Sequence, residues 1–511
     1  MNRFYRHLVL AFLLQTLASP LMAADYDLVI NNGRVMDPET KLDAVRNVGI
    51  KNGIITKISQ EQLSGKEVID AENHVVAPGF IDTHFHGMDA FGMKLMARDG
   101  VTTALELEIG AYPVEDFYNW KAGKSQLNYG ASVGHAAIRL GVPLKLDPKG
   151  DILYSGFLKE AIHDGGSEWN TKPVNAAQKK EILDKIEDGL KQGGLGIGFP
   201  IGYYTVVGAD DVMQAAALAR KYNQFITSHV RYLSQVPPSG YIGLEEMLTV
   251  ASINKVPFLM HHLPSNCLGK TKPCIELLRA AKENGLNVAG EFYPYTFASS
   301  IVGADYLAEG FEGRIGMDVS KIINIATQKP LTSEEMAKLR KEAPDTQVIF
   351  YSMTDEQMMS SFREPGFWVG SDNMPFVATG SEPISWDTPY GQGSAHPRAA
   401  GTHARVLRLN REKNIVPMME AIAKLSYHQA KWLEPMVPDM RKRGRIQEGA
   451  VADITIFDPE KVTDNADWAP GKNSLPSTGI PYVIVNGTVV VNDSKVQKVF
   501  PGKPIRNAIM K

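Results

Sequence analysis

Short apolar runs alternate with amphipathic stretches over most of this chain, and that alternation limits its fold more than any other feature. "HVVAPGFIDTHFH", "GVTTALELE", "GASVGHAAI", "LGIGF", "QFITSHV", "VPFLMHH", "NVAGEFYPY" and "GFWVGSD" read as eight strands. Helical stretches such as "DDVMQAAALARKYN" and "PCIELLRAAKENG" separate them. Strands alternating with helices imply a parallel sheet with right-handed crossovers, and eight of them close into a (β/α)8 TIM-type barrel. An open doubly wound sheet is the competing architecture, but no GxGxxG follows an early strand.

At 511 residues the chain has room for a barrel and a second small domain. "YDLVINNGRVMDP" and "VGIKNGIITKIS" near the start alternate apolar and polar residues around Asn-Gly hairpin turns. "GAVADITIFDP" and "YVIVNGTVVVND" repeat the idiom near the end. The two ends are therefore expected to build one small β-sandwich domain, from residues 25–77 and 436–511, around a barrel spanning 78–435. Residues 1–24 differ in kind. Arg3 and Arg6 precede the apolar run Leu8 to Leu14, and small residues follow up to Ala23 and Ala24. This is the pattern of a secretory signal, too short to span a bilayer. Export to the periplasm is expected, with no membrane span after signal removal.

A composition of 44% hydrophobic and 22% charged residues is that of a soluble globular protein, and a formal net charge of -3 argues against nucleic-acid partners. The two cysteines, Cys267 and Cys274 in "NCLGKTKPC", have three possible states: a disulfide in an oxidising compartment, free thiols, or metal ligands. Oligomerisation stays open.

Barrel enzymes carry their chemistry at the carboxyl ends of the strands. The first strand ends in His84 and His86, which face one way because alternate strand residues do. The second carries Glu106 and Glu108. The fifth ends in His229 with Arg231 two residues on, the sixth in His261 and His262, and the eighth in Asp372. Four or five of the chain's 12 histidines thus fall at strand ends, where scattered core histidines would not gather. Nitrogen and carboxylate ligands suit zinc, as one or two ions, with other divalent metals as substitutes. Zinc lowers the pKa of its water to about 7 and polarises a carbonyl, and Asp372 beside that water is the candidate general acid/base.

"PGFIDTHFH", "TSHVR", "MHH", "VGSD" and "GRIQEGAVADITIFD" resemble the amidohydrolase superfamily of metal-dependent hydrolases. "NYGASVGHAAIR", "EFYPYT" and above all "HPRAAGTHARVL" resemble its N-acyl-D-amino-acid deacylase branch, the D-aminoacylases. The resemblance implies amide hydrolysis of a small-molecule substrate at a metal site. By position it implies His84, His86, His229 and His261 as metal ligands and Asp372 as general acid/base. It further implies Arg398 as the group that grips a substrate carboxylate, and Tyr204 as a substrate-binding residue.

Three departures qualify that resemblance. No lysine stands on the fourth strand, in "GLGIGFPIGYY", to bridge two metals. Ile109 stands where D-aminoacylases place a cysteine, which leaves Glu108 as the expected ligand and Glu106 as its supporting partner. Leu263 stands where the family carries a lysine two residues after the sixth-strand ligand, so part of the carboxylate clamp is missing: His262 and Arg231 are candidates to fill it, and a substrate held differently, or other than a simple N-acyl-D-amino acid, stays open. The leading expectation is deacylation of N-acyl-D-amino acids or related small peptides. Its rivals are hydrolysis of cyclic amides, imides or L-dipeptides at the same metal site, and a metal-stabilised binding protein without turnover.

Overall fold

Residues 26–147 and 171–509 are described in the computed structural model, and the segment expected to be a secretory signal lies outside them. Among the described residues, eight parallel strands run in sequence order. They are Phe80–Asp82, Val101–Ala111, Asn128–Gly134, Ile197–Phe199, Ile226–Ser228, Phe258–Met260, Val288–Phe292 and Trp368–Val369. All eight are fully buried. That explains their apolar, non-alternating character: a strand covered on both faces has no solvent side to mark with polar residues. The sheet closes just beyond its first and eighth strands. A bridge joins Phe85 to Asn373, and the Ser371 backbone N–H donates to Asp82 Oδ1 at 3.0 Å.

Helices cover the outside, among them Ala90–Arg98, Ala176–Lys191, Ala209–Lys221, Gly240–Asn254 and Thr271–Glu283. Ala176–Lys191 starts on a full capping box, in which Asn175 and Gln178 satisfy each other's backbone N–H. After the seventh strand the chain inserts a four-stranded sheet of Phe297–Ile301, Gln347–Tyr351, Ile323–Asn324 and Lys329–Pro330, with the helix Ser333–Glu342. Because it follows the carboxyl end of a barrel strand, this insertion stands over the mouth.

The two chain ends share one nine-stranded sheet. Val75–Pro78 from the start pairs antiparallel with Ile454–Phe457 from the end. A bridge from Ile54 to Val451 folds the sheet back on itself around its own core, which includes Leu28, Ile30, Val48, Ile454 and Ile484. Two Asn-Gly pairs, Asn52-Gly53 and Asn486-Gly487, make two-residue hairpin turns with positive φ at both positions. These turns meet. A Cβ on Gly487 would lie 2.6 Å from Gly53 Cα, so no side chain fits between them. The Asn32-Gly33 pair behaves differently from the expected turn: Tyr26–Asp37 is one strand, and its register shifts between Ile30 and Gly33. Asn32 adopts φ of 61° there, and its N–H donates to Asn47 Oδ1 at 2.8 Å, so the pair forms a bulge.

Asp453 ties this sheet to the barrel. It accepts from Asn128 Nδ2 at 3.0 Å and from the Asn486 N–H at 2.7 Å, and it pairs with Arg443. Cys267 and Cys274 are disulfide-bonded, joining the short helix Leu263–Asn266 to Thr271–Glu283. Among the described residues, no helix is long and apolar enough to cross a membrane.

Candidate metal centre and active site

The local sequence after the first strand explains how its two histidines are aimed. The Phe85 N–H donates to Leu105 O on one side, and the His86 N–H donates to Asn373 O on the other, both at 3.1 Å. The "HFH" segment is thereby pinned between the second strand and the loop after the eighth. The His84 and His86 rings meet edge to face, 4.9 Å between centroids.

The two glutamates of the second strand divide the work. Glu106 Oε2 lies 2.6 Å from His86 Nδ1, and Glu106 Oε1 accepts the Ile109 N–H at 2.9 Å. Glu106 thus holds the back of one imidazole. Glu108 faces the opposite nitrogens: its Oε2 lies 2.5 Å from His84 Nε2 and 3.2 Å from His86 Nε2. Its other oxygen lies 3.0 Å from His229 Nδ1 and 3.5 Å from His262 Nε2. One carboxylate therefore stands between two groups of histidines.

Asp372 follows the eighth strand in the left-handed region, with φ of 52°. A non-glycine residue held there is strained, and such strain gathers at functional sites. Its Oδ1 lies 3.5 Å from His84 Nε2 and 3.3 Å from His86 Nε2, and its Oδ2 forms a 2.8 Å ion pair with Arg398 Nη2. Arg398 opens the helix Arg398–Lys413, is fully buried, and stacks over Tyr293 with 4.6 Å to the ring centroid. Its backbone N–H donates to His396 Nδ1 at 3.0 Å, so the neutral ring of His396 fixes where this arginine begins. Arg398 Nε and Nη1 are buried with no hydrogen-bond partner.

Sequence reasoning missed Glu291 at the end of the seventh strand. It is fully buried and contacts Nδ1 of both His84 and His261, the latter at 2.7 Å. The signal was present: Glu291 is the lone charge in the apolar run "NVAGEFYPY", the same kind of clue that exposed Glu106 and Glu108.

Tyr204, expected to bind substrate, has its hydroxyl 3.0 Å from His135 Nδ1 and lies within reach of the Glu108 charge. Its neighbour Tyr203 sets its ring 4.8 Å from that of His229, and Tyr306 of the insertion stacks on His229 at 5.8 Å, 5.5 Å from the Tyr203 ring. Arg231 does not complete the substrate clamp, because it is spent on Glu246 and on the carbonyls of Thr205 and Val207. Of the sixth-strand pair, His262 lies with Glu108 and His229 while His261 turns toward Glu291. His262 holds φ of 26°, a second strained residue at the site.

Ligand atoms within 4.8 Å of one another form three buried sets: His84, His86, Glu108 and Asp372; Glu108, His229 and His262; and His84, His261 and Glu291. Four carboxylates here face a single guanidinium. The fields of Asp372, Glu291 and Glu108 overcome the burial of His84, which opposes protonation, and raise it to about 10; Glu106 raises His86 in the same sense against its burial. Burial raises Asp372 and Glu108, but Arg398 and His84 beside the one, and His84 and His229 beside the other, hold both below the usual carboxylate range. Without a metal these protonated rings join Arg398 in balancing the buried carboxylates, and a divalent cation would take over that part when bound. His229 Nε2 and His261 Nε2 are buried without a partner. The donor set, its charge and these lone nitrogens fit one or two divalent metal ions.

A cavity of about 730 Å³, lined by Gln235, Leu268, Phe297, Met317 and Met353 among others, shares no lining residue with this cluster.

The fold and the site together define a class, the metal-dependent amidohydrolase barrels, which this chain resembles over nearly its whole described length. Within that class the resemblance is to the N-acyl-D-amino-acid deacylases. The chain is 26% identical to an N-acyl-D-glutamate deacylase of Alcaligenes xylosoxydans xylosoxydans over 516 residues, covering 92% of this chain and 94% of that protein. It is 25% identical to a dihydroorotase of Clostridioides difficile, covering 91% of this chain and 100% of that protein. Among solved structures, the N-acyl-D-glutamate deacylase from Bordetella bronchiseptica, complexed with zinc and a phosphonate inhibitor, matches with a TM-score of 0.74 at 23% identity, over 94% of this chain and 99% of that one. No family model matches the chain.

Proposed function

We propose that the protein is an exported, zinc-dependent amidohydrolase that releases the amine from N-acyl-D-amino acids or closely related small peptides. The observation that carries this reading is the position of Asp372, in contact at once with the His84 and His86 pair and with Arg398. His84, His86, Glu108, His229 and a sixth-strand histidine would hold the metal. When bound, it supplies Lewis-acid polarisation of the amide carbonyl and acidifies water.

Asp372 takes a proton from the attacking water. It returns that proton to the amide nitrogen as the carbon–nitrogen bond breaks, so the products are a carboxylate and a free amine. Arg398 presents Nη1 together with Nη2 as a fork for the substrate carboxylate, which replaces the pairing of Nη2 with Asp372. Tyr293 beneath it keeps the guanidinium flat and in place. With Leu263 buried in the core in place of a lysine, Arg398 carries this recognition without a second cation from the sixth strand. Export is supported by the N-terminal pattern and by the Cys267–Cys274 disulfide, a bond that persists in oxidising compartments.

The test is amine release by the zinc-loaded protein from matched N-acetyl and N-formyl D- and L-amino acids, beside dipeptides and cyclic imides. Turnover confined to the D-compounds is expected. Turnover of rings or L-dipeptides alone would reject the substrate assignment.

A further inference from the structure

We propose that Glu291 is a positioning residue that locks His84 and His261, from two different strands, as Nδ1–H tautomers, leaving Nε2 of each as the nitrogen that can ligate metal. This rests on the metal-dependent reading above and deepens it by assigning the group that orients two of its ligands.

The geometry leaves Glu291 little choice. A carboxylate only accepts hydrogen bonds, so the His84 and His261 nitrogens that meet it must carry protons on Nδ1. A neutral ring that donates from Nδ1 offers its lone pair on Nε2, the nitrogen a metal would take. His84 Nε2 lies 2.5 Å from Glu108 Oε2 and 3.5 Å from Asp372 Oδ1, the groups that would share that metal with it, and His261 Nε2 is buried with no partner.

Glu291 is itself held on two sides. Thr83 Oγ1 receives the Trp368 Nε1–H at 3.0 Å, so its own proton goes to Glu291 Oε2, at 2.9 Å. Gly370 leaves the space the carboxylate fills: a Cβ there would lie 2.6 Å from Glu291 Oε2. A chain of hydrogen bonds thus runs from the eighth strand through the first to the seventh, and ends on two imidazoles. Glu106 does the same for His86 alone, whereas Glu291 holds two histidines, one of which, His84, also belongs to the set with His86, Glu108 and Asp372. Carboxylates behind ligating histidines raise ligand basicity and fix ring orientation, and removing one typically costs about 10–100-fold in metal affinity.

The experiment is competition for zinc between a chromophoric chelator and the full-length mature protein, as wild type, Glu291→Gln and Thr83→Val, with the visible spectrum of each cobalt-loaded form. Glu291→Gln is expected to lose about 10–100-fold in zinc affinity with an altered cobalt spectrum, and Thr83→Val less than about 10-fold. Unchanged affinity and spectrum in a folded Glu291→Gln protein would overturn this proposal and leave the metal-dependent reading standing. Failure of the wild type to bind any divalent metal would overturn that reading itself. Should the glutamine variant not fold, histidine 15N spectra of the zinc-loaded wild type decide the question: protons on Nδ1 of His84 and His261 support the proposal, and protons on Nε2 of either overturn it.

Discussion

Each carboxylate of the site has a separate task, and single substitutions should separate them. Asp372→Asn keeps the shape of the side chain but cannot take a proton, so turnover should fall by about 10²–10⁴-fold with metal content retained. Near-normal activity with full metal content would remove Asp372 from its role. Glu108→Gln should lose metal outright, because both histidine groups face that carboxylate, while Glu106→Gln should retain metal with an affinity lowered by about 10–100-fold. Metal analysis of the two purified variants checks the order, and the reverse order would exchange their roles. Most of this was legible in the sequence because a charged residue at the end of an apolar strand is costly unless it has work to do. Glu291 carried the same signal. What the sequence could not convey is facing: the adjacent His261 and His262 turn to different carboxylates, Glu291 and Glu108, and it is Tyr203 rather than Tyr204 whose ring lies against His229.

At the scale of elements, the barrel strands and the joined ends were readable because their patterns follow directly from burial on both faces or on one. The Asn-Gly pairs show where such reading stops. Asn52-Gly53 and Asn486-Gly487 take positive φ at both residues and make hairpin turns, whereas in Asn32-Gly33 only the asparagine does and the strand runs on through a bulge. The insertion after the seventh strand was not legible as a mouth-covering unit, because its strands of two to five residues lack a long period. The turn-on-turn contact yields a prediction. Gly487→Val places a β-branched side chain at φ of 80° against Gly53, and should lower the melting temperature by several degrees while leaving metal content unchanged. An unaltered melting curve would show that the two hairpins are not tightly packed.

At the scale of the whole molecule, buried neutral histidines set a limit on acid stability. Burial, reinforced by Arg139 and Arg231, lowers His135 to about 3, while in the unfolded chain it titrates near 6.5. Between those values the unfolded state binds a proton that the folded state refuses, so this contribution to stability is lost progressively as pH falls below about 6.5. His135→Gln should therefore flatten the decline of melting temperature between pH 6.5 and 4, and parallel curves for variant and wild type would refute that assignment. The central claim concerns the mouth of the barrel, where buried carboxylates, histidines and Arg398 converge. Its most direct test is to strip the protein with a chelator, restore zinc in measured steps, and follow amine release from an N-acyl-D-amino acid. Activity that vanishes on stripping and returns in proportion to bound zinc is the predicted result. Undiminished activity in the metal-free protein would contradict the account.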